Sequence, residues 1–246
     1  MTIRWWRPPD APLRRGVALA AGSGLAGTFA VALGVGRWLG TGPRPVVAAT
    51  AVFAAAMLVA AGAAGARHPF ARFGFANVVT TLRLMLVAVI AGLVMEPGSV
   101  RAAWLVVATT GVVAALDGVD GWLARRGGMA SAFGARFDME TDALFILVLS
   151  ALVWSFGRAG AWVLACGLMR YAFVAAGWVL PWMSRPLTPT LRGKTVAVLQ
   201  FLGLAAALAP PVRPPLSAAV AGVTLATLAW SFAVDVGRLW RAAEPE

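Results

Sequence analysis

The sequence predicts an all-α fold, a polytopic transmembrane helical bundle, and three observations carry that expectation. The chain of 246 residues is 60% hydrophobic and 13% charged, with a mean hydropathy of +0.80, a composition outside that of soluble globular domains. Apolar stretches recur at about the 20-residue length that crosses a hydrocarbon core. Lysine and arginine divide unevenly between alternate connecting segments, as they do around membrane helices.

Eight spans are predicted, at 17–36, 46–66, 78–95, 102–121, 141–156, 159–180, 195–209 and 216–237. The first follows Arg14 and Arg15; a basic pair before an apolar run also introduces cleaved export signals, but this run is long and further spans follow it. Helix-breaking residues punctuate the connections: Gly42-Pro43-Arg44-Pro45, Pro69, Glu96-Pro97-Gly98, Gly157-Arg158, Pro186 to Pro189, and Pro210-Pro211 with Pro214-Pro215. The first two spans form a hairpin within 1–70, for which the sequence suggests no role, and 71–246 holds the remainder. Small-residue spacings such as Gly36-xxx-Gly40 read as ordinary helix packing.

With the N-terminus inside, the cytoplasmic segments hold Arg4, Arg7, Arg14, Arg15, Arg67, Arg72, Arg125, Arg126, Arg136, Arg185, Arg192, Lys194, Arg238 and Arg241, against Arg37, Arg44, Arg101, Arg158 and Arg213 opposite. Both termini are therefore expected on the cytoplasmic side of a bacterial-type inner or plasma membrane. The net charge of +11 reads as this topology signal plus attraction to anionic headgroups. Nucleic-acid binding is disfavoured, since no basic block lies on a soluble domain. Cys166 is the sole cysteine, which excludes a disulfide framework or a thiolate metal site and makes it a packing residue. His68, also alone, reads as a solvated interfacial residue.

Five of the ten acidic residues, Asp117, Asp120, Asp138, Glu140 and Asp142, fall within 26 residues. Each Asp costs roughly 2.5–3.5 kcal/mol at the centre of an inserting helix, and clustered carboxylates repel unless a proton or cation neutralises them. Asp117 and Asp120 share a helix face with Gly121 and Ala124; Gly134, Asp138 and Asp142 repeat the arrangement at intervals of four. Two such helices facing each other make a pocket lined by carboxylates and bare backbone. Oxygen ligands without His or Cys suit Mg²⁺ or Mn²⁺, and two ions about 3.5–4 Å apart can clamp a phosphoryl displacement. Arg125 and Arg136 border the pocket, where they can meet phosphate oxygens. Glu140 points elsewhere, as a cap or supporting group. The plainer alternative is that these acids only pair with Arg125, Arg126 and Arg136 at headgroup level.

The pattern Asp117-x2-Asp120-Gly121-x2-Ala124-Arg125-x8-Gly134-x3-Asp138-x3-Asp142 resembles the signature of the CDP-alcohol phosphatidyltransferase family at every position. Asn77-x2-Thr80-x2-Arg83 resembles the polar stripe of that family's first core helix, and Arg192-Gly193-Lys194-Thr195 its basic segment before the fifth. The resemblance covers about 71–246, which the family folds as a six-helix core. It implies phospholipid biosynthesis: transfer of a phosphatidyl or related group from a CDP-linked lipid donor to a small alcohol acceptor, releasing CMP. On this basis Asp117, Asp120, Asp138 and Asp142 hold two ions, Mg²⁺ or Mn²⁺, and Asp142 is also the general base. Gly121, Ala124, Arg125 and Gly134, with Asp120, Asn77 and Thr80, contact the CDP part. A homodimer is also implied.

Arg170, inside a predicted span, is by default a functional candidate; with Arg185, Arg192 and Lys194 it is a candidate recess for an acceptor phosphate, with snorkelling or ion pairing as the alternative. Relatives that use glycerol phosphate carry an acid after the matching Arg, where this chain has Tyr171. Asp235 is expected to pair with Arg238 at the interface. Two other readings of the acidic window compete. An intramembrane prenyltransferase needs a second, distant Asp-rich motif, and a cation or proton transporter needs acids nearer the midplane and an internal repeat; neither is present in the sequence.

Overall fold

The structure, a computed structural model, describes residues 7–126, 131–185 and 190–243, with only the helical backbone described over 119–126. It is all-α, a polytopic helical bundle with no strand among the described residues. Among the described residues eight long helices run α1 Ala11–Leu39, α2 Arg44–Arg67, α3 Phe75–Ala91, α4 Val100–Arg126, α5 Ala132–Ser155, α6 Ala165–Val179, α7 Leu191–Leu208 and α8 Leu216–Arg241.

Among the described residues seven segments are long and apolar enough to cross a membrane, that of α3 running on to Met95 and that of α6 starting at Ala161, as expected of a polytopic integral membrane protein. The exception is α5. Arg136, Asp138, Glu140 and Asp142 occupy its first half, and the uninterrupted apolar stretch that remains, 143–155, is only about 20 Å long at 1.5 Å per residue.

Local chemistry sets the helix ends. α1 stops at Gly40, whose φ of 71° is left-handed and whose N–H returns to the Gly36 carbonyl. α2 then starts at Arg44 between Pro43 and Pro45, and Pro45 lacks an N–H in the first turn, where the helix has no acceptor for one. α3 follows Gly74, at φ 84°. Ser131 caps α5, its Oγ accepting the Gly134 N–H at 3.0 Å, and Thr190 caps α7 by accepting from Gly193 at 3.1 Å.

The chain forms two compact units, Met1–Pro97 with Gly111–Leu144, and Gly98–Thr110 with Phe145–Glu246. In the first, α1 buries Leu13, Val17, Ala20, Gly24, Thr28, Ala32 and Gly36 along one stripe at intervals of three and four. Between helices in lipid, apolar contact alone gives little driving force, so association depends on close packing around small residues. Gly24 illustrates this: a Cβ there would lie 3.0 Å from Cε2 of Phe53, itself 1% exposed. The core joins α1 and α2 to Phe73, to Leu84 and Ala88 of α3, and to Phe133 and Phe137 of α5. Both helices of the N-terminal hairpin thus pack around the start of the acidic helix.

In the second unit α7 packs on α8. Gln200, fully buried, donates to the Thr224 carbonyl at 2.8 Å, and Gly203 lies against the Thr224 side chain. Phe145 meets Phe201 with ring centroids 4.9 Å apart, and Phe173 meets Phe232 at 5.5 Å. Arg158 donates to the Val212 carbonyl at 3.1 Å while Ser217 donates to the Arg158 carbonyl at 2.6 Å, tying the ends of α5 and α7 to the start of α8. Cys166 is buried, as expected of a packing residue.

Candidate metal centre

Helix α3 presents a polar face to the protein interior. Asn77, Thr80, Thr81 and Arg83 are all buried, and the first three donate to backbone carbonyls four residues back: Asn77 to Phe73, Thr80 to Ala76 at 3.1 Å and Thr81 to Asn77 at 2.8 Å. Arg83 is different. Its side chain is 0% exposed, and a guanidinium so deep needs carboxylates around it.

Three carboxylates supply that partnership. Nη2 of Arg83 lies 2.9 Å from Oδ1 of Asp117 on α4. Nη1 donates to Asp138 and Nη2 to Asp142, both on α5. Asp138 and Asp142 stand one turn apart and so share a face, which turns both toward Arg83. The acids remain 26–39% exposed, while the Arg83 side chain between them is fully enclosed.

One oxygen from each of Asp117, Asp138 and Asp142 lies within 4.8 Å of the others. Opposed ligands on an octahedral Mg²⁺ are about 4.2 Å apart, twice the usual 2.1 Å bond. An all-carboxylate set with that spread fits a hard divalent ion. Of the four acids expected to line the site, the structure brings Asp117, Asp138 and Asp142 together; Asp120, with Gly121, Ala124 and Arg125, lies outside the residues whose side chains are described.

Gly134 sits on the same face of α5, one turn before Asp138. A Cβ there would lie 3.0 Å from Oδ1 of Asn77 and 3.3 Å from Oγ of Ser131. The missing side chain is what lets α5 approach Asn77, so two residues expected near the nucleotide are neighbours.

Other expectations need adjustment. Arg136 pairs with Glu140 at 2.7 Å along α5, both substantially exposed, because a separation of four places them side by side. Glu140 is therefore an ion-pair partner. Asp235 takes its hydrogen bond from Arg192, with Arg238 farther away at 3.9 Å; α7 and α8 pack together, and Arg192, 16% exposed, needs the acid more than exposed Arg238 does. Arg192 also faces the Trp230 ring at 5.8 Å, and Arg185 donates to the Ala242 carbonyl. Lys194 is exposed and Arg170 half-buried.

Two contributors carry little local signal. Arg83 enters from sequence only in a family-like stripe, although an Arg in a span is the same signal that singles out Arg170. His68 was read as solvated, yet it is half-buried and hydrogen-bonded on both ring nitrogens; no local pattern marks that, since its partner Ser131 is 63 residues away.

Comparison with curated proteins and with solved structures gave no match. Residues 73–234, roughly two thirds of the chain, match the family model described as CDP-alcohol phosphatidyltransferase.

Proposed function

This chain belongs to the CDP-alcohol phosphatidyltransferase family, and from that premise we propose that it is a divalent-metal-dependent membrane enzyme that moves a phosphatidyl group from a CDP-linked lipid to an alcohol acceptor and releases CMP. Membership itself supports phosphatidyl transfer in phospholipid synthesis, with a CDP-alcohol donor and an alcohol acceptor. The observation that carries the finer reading is the convergence of Asp117 from α4 with Asp138 and Asp142 from α5 within 4.8 Å.

In this reading Asp117, Asp138 and Asp142, together with Asp120, hold two ions, Mg²⁺ or Mn²⁺. When bound, such ions neutralise the donor diphosphate and polarise its phosphorus–oxygen bonds. Asp142 takes the proton from the acceptor hydroxyl. The acceptor oxygen forms a bond to the lipid-bearing phosphorus, and the bond from that phosphorus to CMP breaks, with CMP keeping the electron pair. Arg83 holds the three carboxylates in one place from the buried side, so that little reorganisation is left for the reaction.

Gly134 and Asn77 border the nucleotide together with Thr80, Gly121, Ala124 and Arg125. An anionic acceptor is recognised by Arg170, Arg185, Arg192 and Lys194, of which Arg185 and Arg192 already carry hydrogen bonds within the protein. The excess of positive charge on alternate segments supports both termini and the acidic site on the cytoplasmic side. A homodimer is part of the same proposal.

The test is CMP release by purified protein in liposomes with CDP-diacylglycerol and Mg²⁺ or Mn²⁺, across glycerol phosphate, inositol phosphate, inositol, serine and choline. Release stimulated by one alcohol and abolished by EDTA is the expected result. No metal-dependent binding of the donor would overturn the proposal.

A further inference from the structure

Residues before Phe73 lie outside the family match, yet the structure ties them to the acidic helix at one polar point. His68 follows α2, and its backbone N–H closes that helix on the Ala64 carbonyl at 2.9 Å. Its Nε2 lies 2.9 Å from the Arg72 carbonyl. A carbonyl can only accept, so Nε2 carries a proton, and in the tautomer with a single ring proton Nδ1 is an acceptor. The group opposite Nδ1, at 3.2 Å, is the Ser131 hydroxyl, which therefore donates to it. The same Ser131 Oγ accepts the Gly134 N–H at 3.0 Å.

A polar relay thus runs from the end of α2 through His68 and Ser131 to the first turn of α5. The imidazole is held edge-on by Phe70 and Phe133, with centroids 5.5 and 5.4 Å away. Phe133 continues into the core shared with α1 and α2. What the relay fixes is the direction of the Ser131 hydroxyl. With its proton committed to His68, the oxygen lone pairs stay turned toward Gly134. The orientation of that first turn decides how Gly134 meets Asn77 and where Asp138 and Asp142, one and two turns on, stand relative to Arg83 and Asp117.

We propose that His68 is a positioning residue for the acidic site, acting through Ser131 on the start of α5, and that the N-terminal hairpin carrying it is a working part of the enzyme. The inference rests on the proposed function for its kinetic consequence and on the geometry alone for its structural one. Two replacements separate the arms of the relay. Asn places an amide oxygen near Nδ1 and keeps an acceptor for Ser131; Gln places an amide N–H near Nε2 and keeps only the donor to Arg72.

The experiment uses the full chain in detergent or liposomes, with His68→Ala, His68→Asn, His68→Gln and Ser131→Ala. It reads amide hydrogen exchange over 132–138, and KM for CDP-diacylglycerol against kcat. His68→Ala is expected to speed exchange and raise KM by about fivefold each, the scale of one lost hydrogen bond at a helix cap, with a smaller change in kcat. His68→Asn restores both, His68→Gln restores neither, and adding His68→Ala to Ser131→Ala has no further effect. Wild-type exchange in His68→Ala, or equal rescue by Gln and Asn, would overturn the inference. A wild-type protein without turnover would instead count against the proposed function, while the exchange measurement still decides the role of His68.

Discussion

Arg83→Gln removes the one guanidinium that touches all three described acids of the cluster, and the consequence can be worked from their separation. Carboxylate oxygens no more than 4.8 Å apart repel by at least about 0.9 kcal/mol in bulk water and at least about 3.5 kcal/mol at an effective dielectric of 20. Three pairs therefore repel by about 3 to 10 kcal/mol. Because the acids are 26–39% exposed, the lower end applies. In the wild type Arg83 offsets this repulsion; in the variant a divalent ion is left to do so. A difference of about 3 kcal/mol corresponds to roughly two decades in affinity, so the Mn²⁺ midpoint is expected to fall at least tenfold, while the metal-free variant melts below the wild type. The assay is thermal unfolding in detergent across a Mn²⁺ titration, with EDTA as the zero point; a saturating ion at 100 times its Kd adds about 2.7 kcal/mol. Arg83→Lys keeps the charge but loses the two-pronged geometry and is expected to fall between. A glutamine variant with the wild-type Mn²⁺ midpoint would refute the idea that Arg83 is the internal counter-charge of this cluster.

Asp142→Asn is expected to lower kcat by about 10²-fold or more, the usual worth of a general base, while CDP-diacylglycerol binding stays measurable; normal turnover would remove Asp142 from that role. Gly134→Leu fills the space against Asn77, where even a Cβ stands 3.0 Å from Oδ1, and donor binding measured by titration should weaken more than tenfold; unchanged binding would show that this turn of α5 does not border the nucleotide. Gly24→Leu drives a side chain into the buried Phe53 ring. Overpacking of this kind costs about 1–3 kcal/mol, so the melting temperature should drop by on the order of 5 °C, and a wild-type value would mean that α1 and α2 do not pack through Gly24.

Chemistry written at short range was legible in the chain. Apolar runs of membrane-crossing length gave the helices, proline and glycine their ends, and the spacing of Gly134, Asp138 and Asp142 put three residues on one face because an α-helix repeats every 3.6 residues. The family followed from eight residues at fixed intervals. Where local pattern failed, the deciding partner was remote. α5 was expected to span like the others, but a helix must carry its acids wherever its face requires them, and that shortens its apolar length.

Arg83 needed the fold for its meaning: a cation within a span is only a candidate until three carboxylates, 34 to 59 residues later, are brought to it. Arg192 and Asp235 stand 43 residues apart, and only the packing of α7 on α8 puts them together, beside the Asp235–Arg238 pair that the local spacing predicts. The hairpin had no role that its own composition could suggest, since apolar helices look alike in sequence. Tertiary structure gave it a place around Phe133 and a polar link from His68 to Ser131, because burial and hydrogen-bond partnership belong to pairs of residues and only folding brings those pairs together.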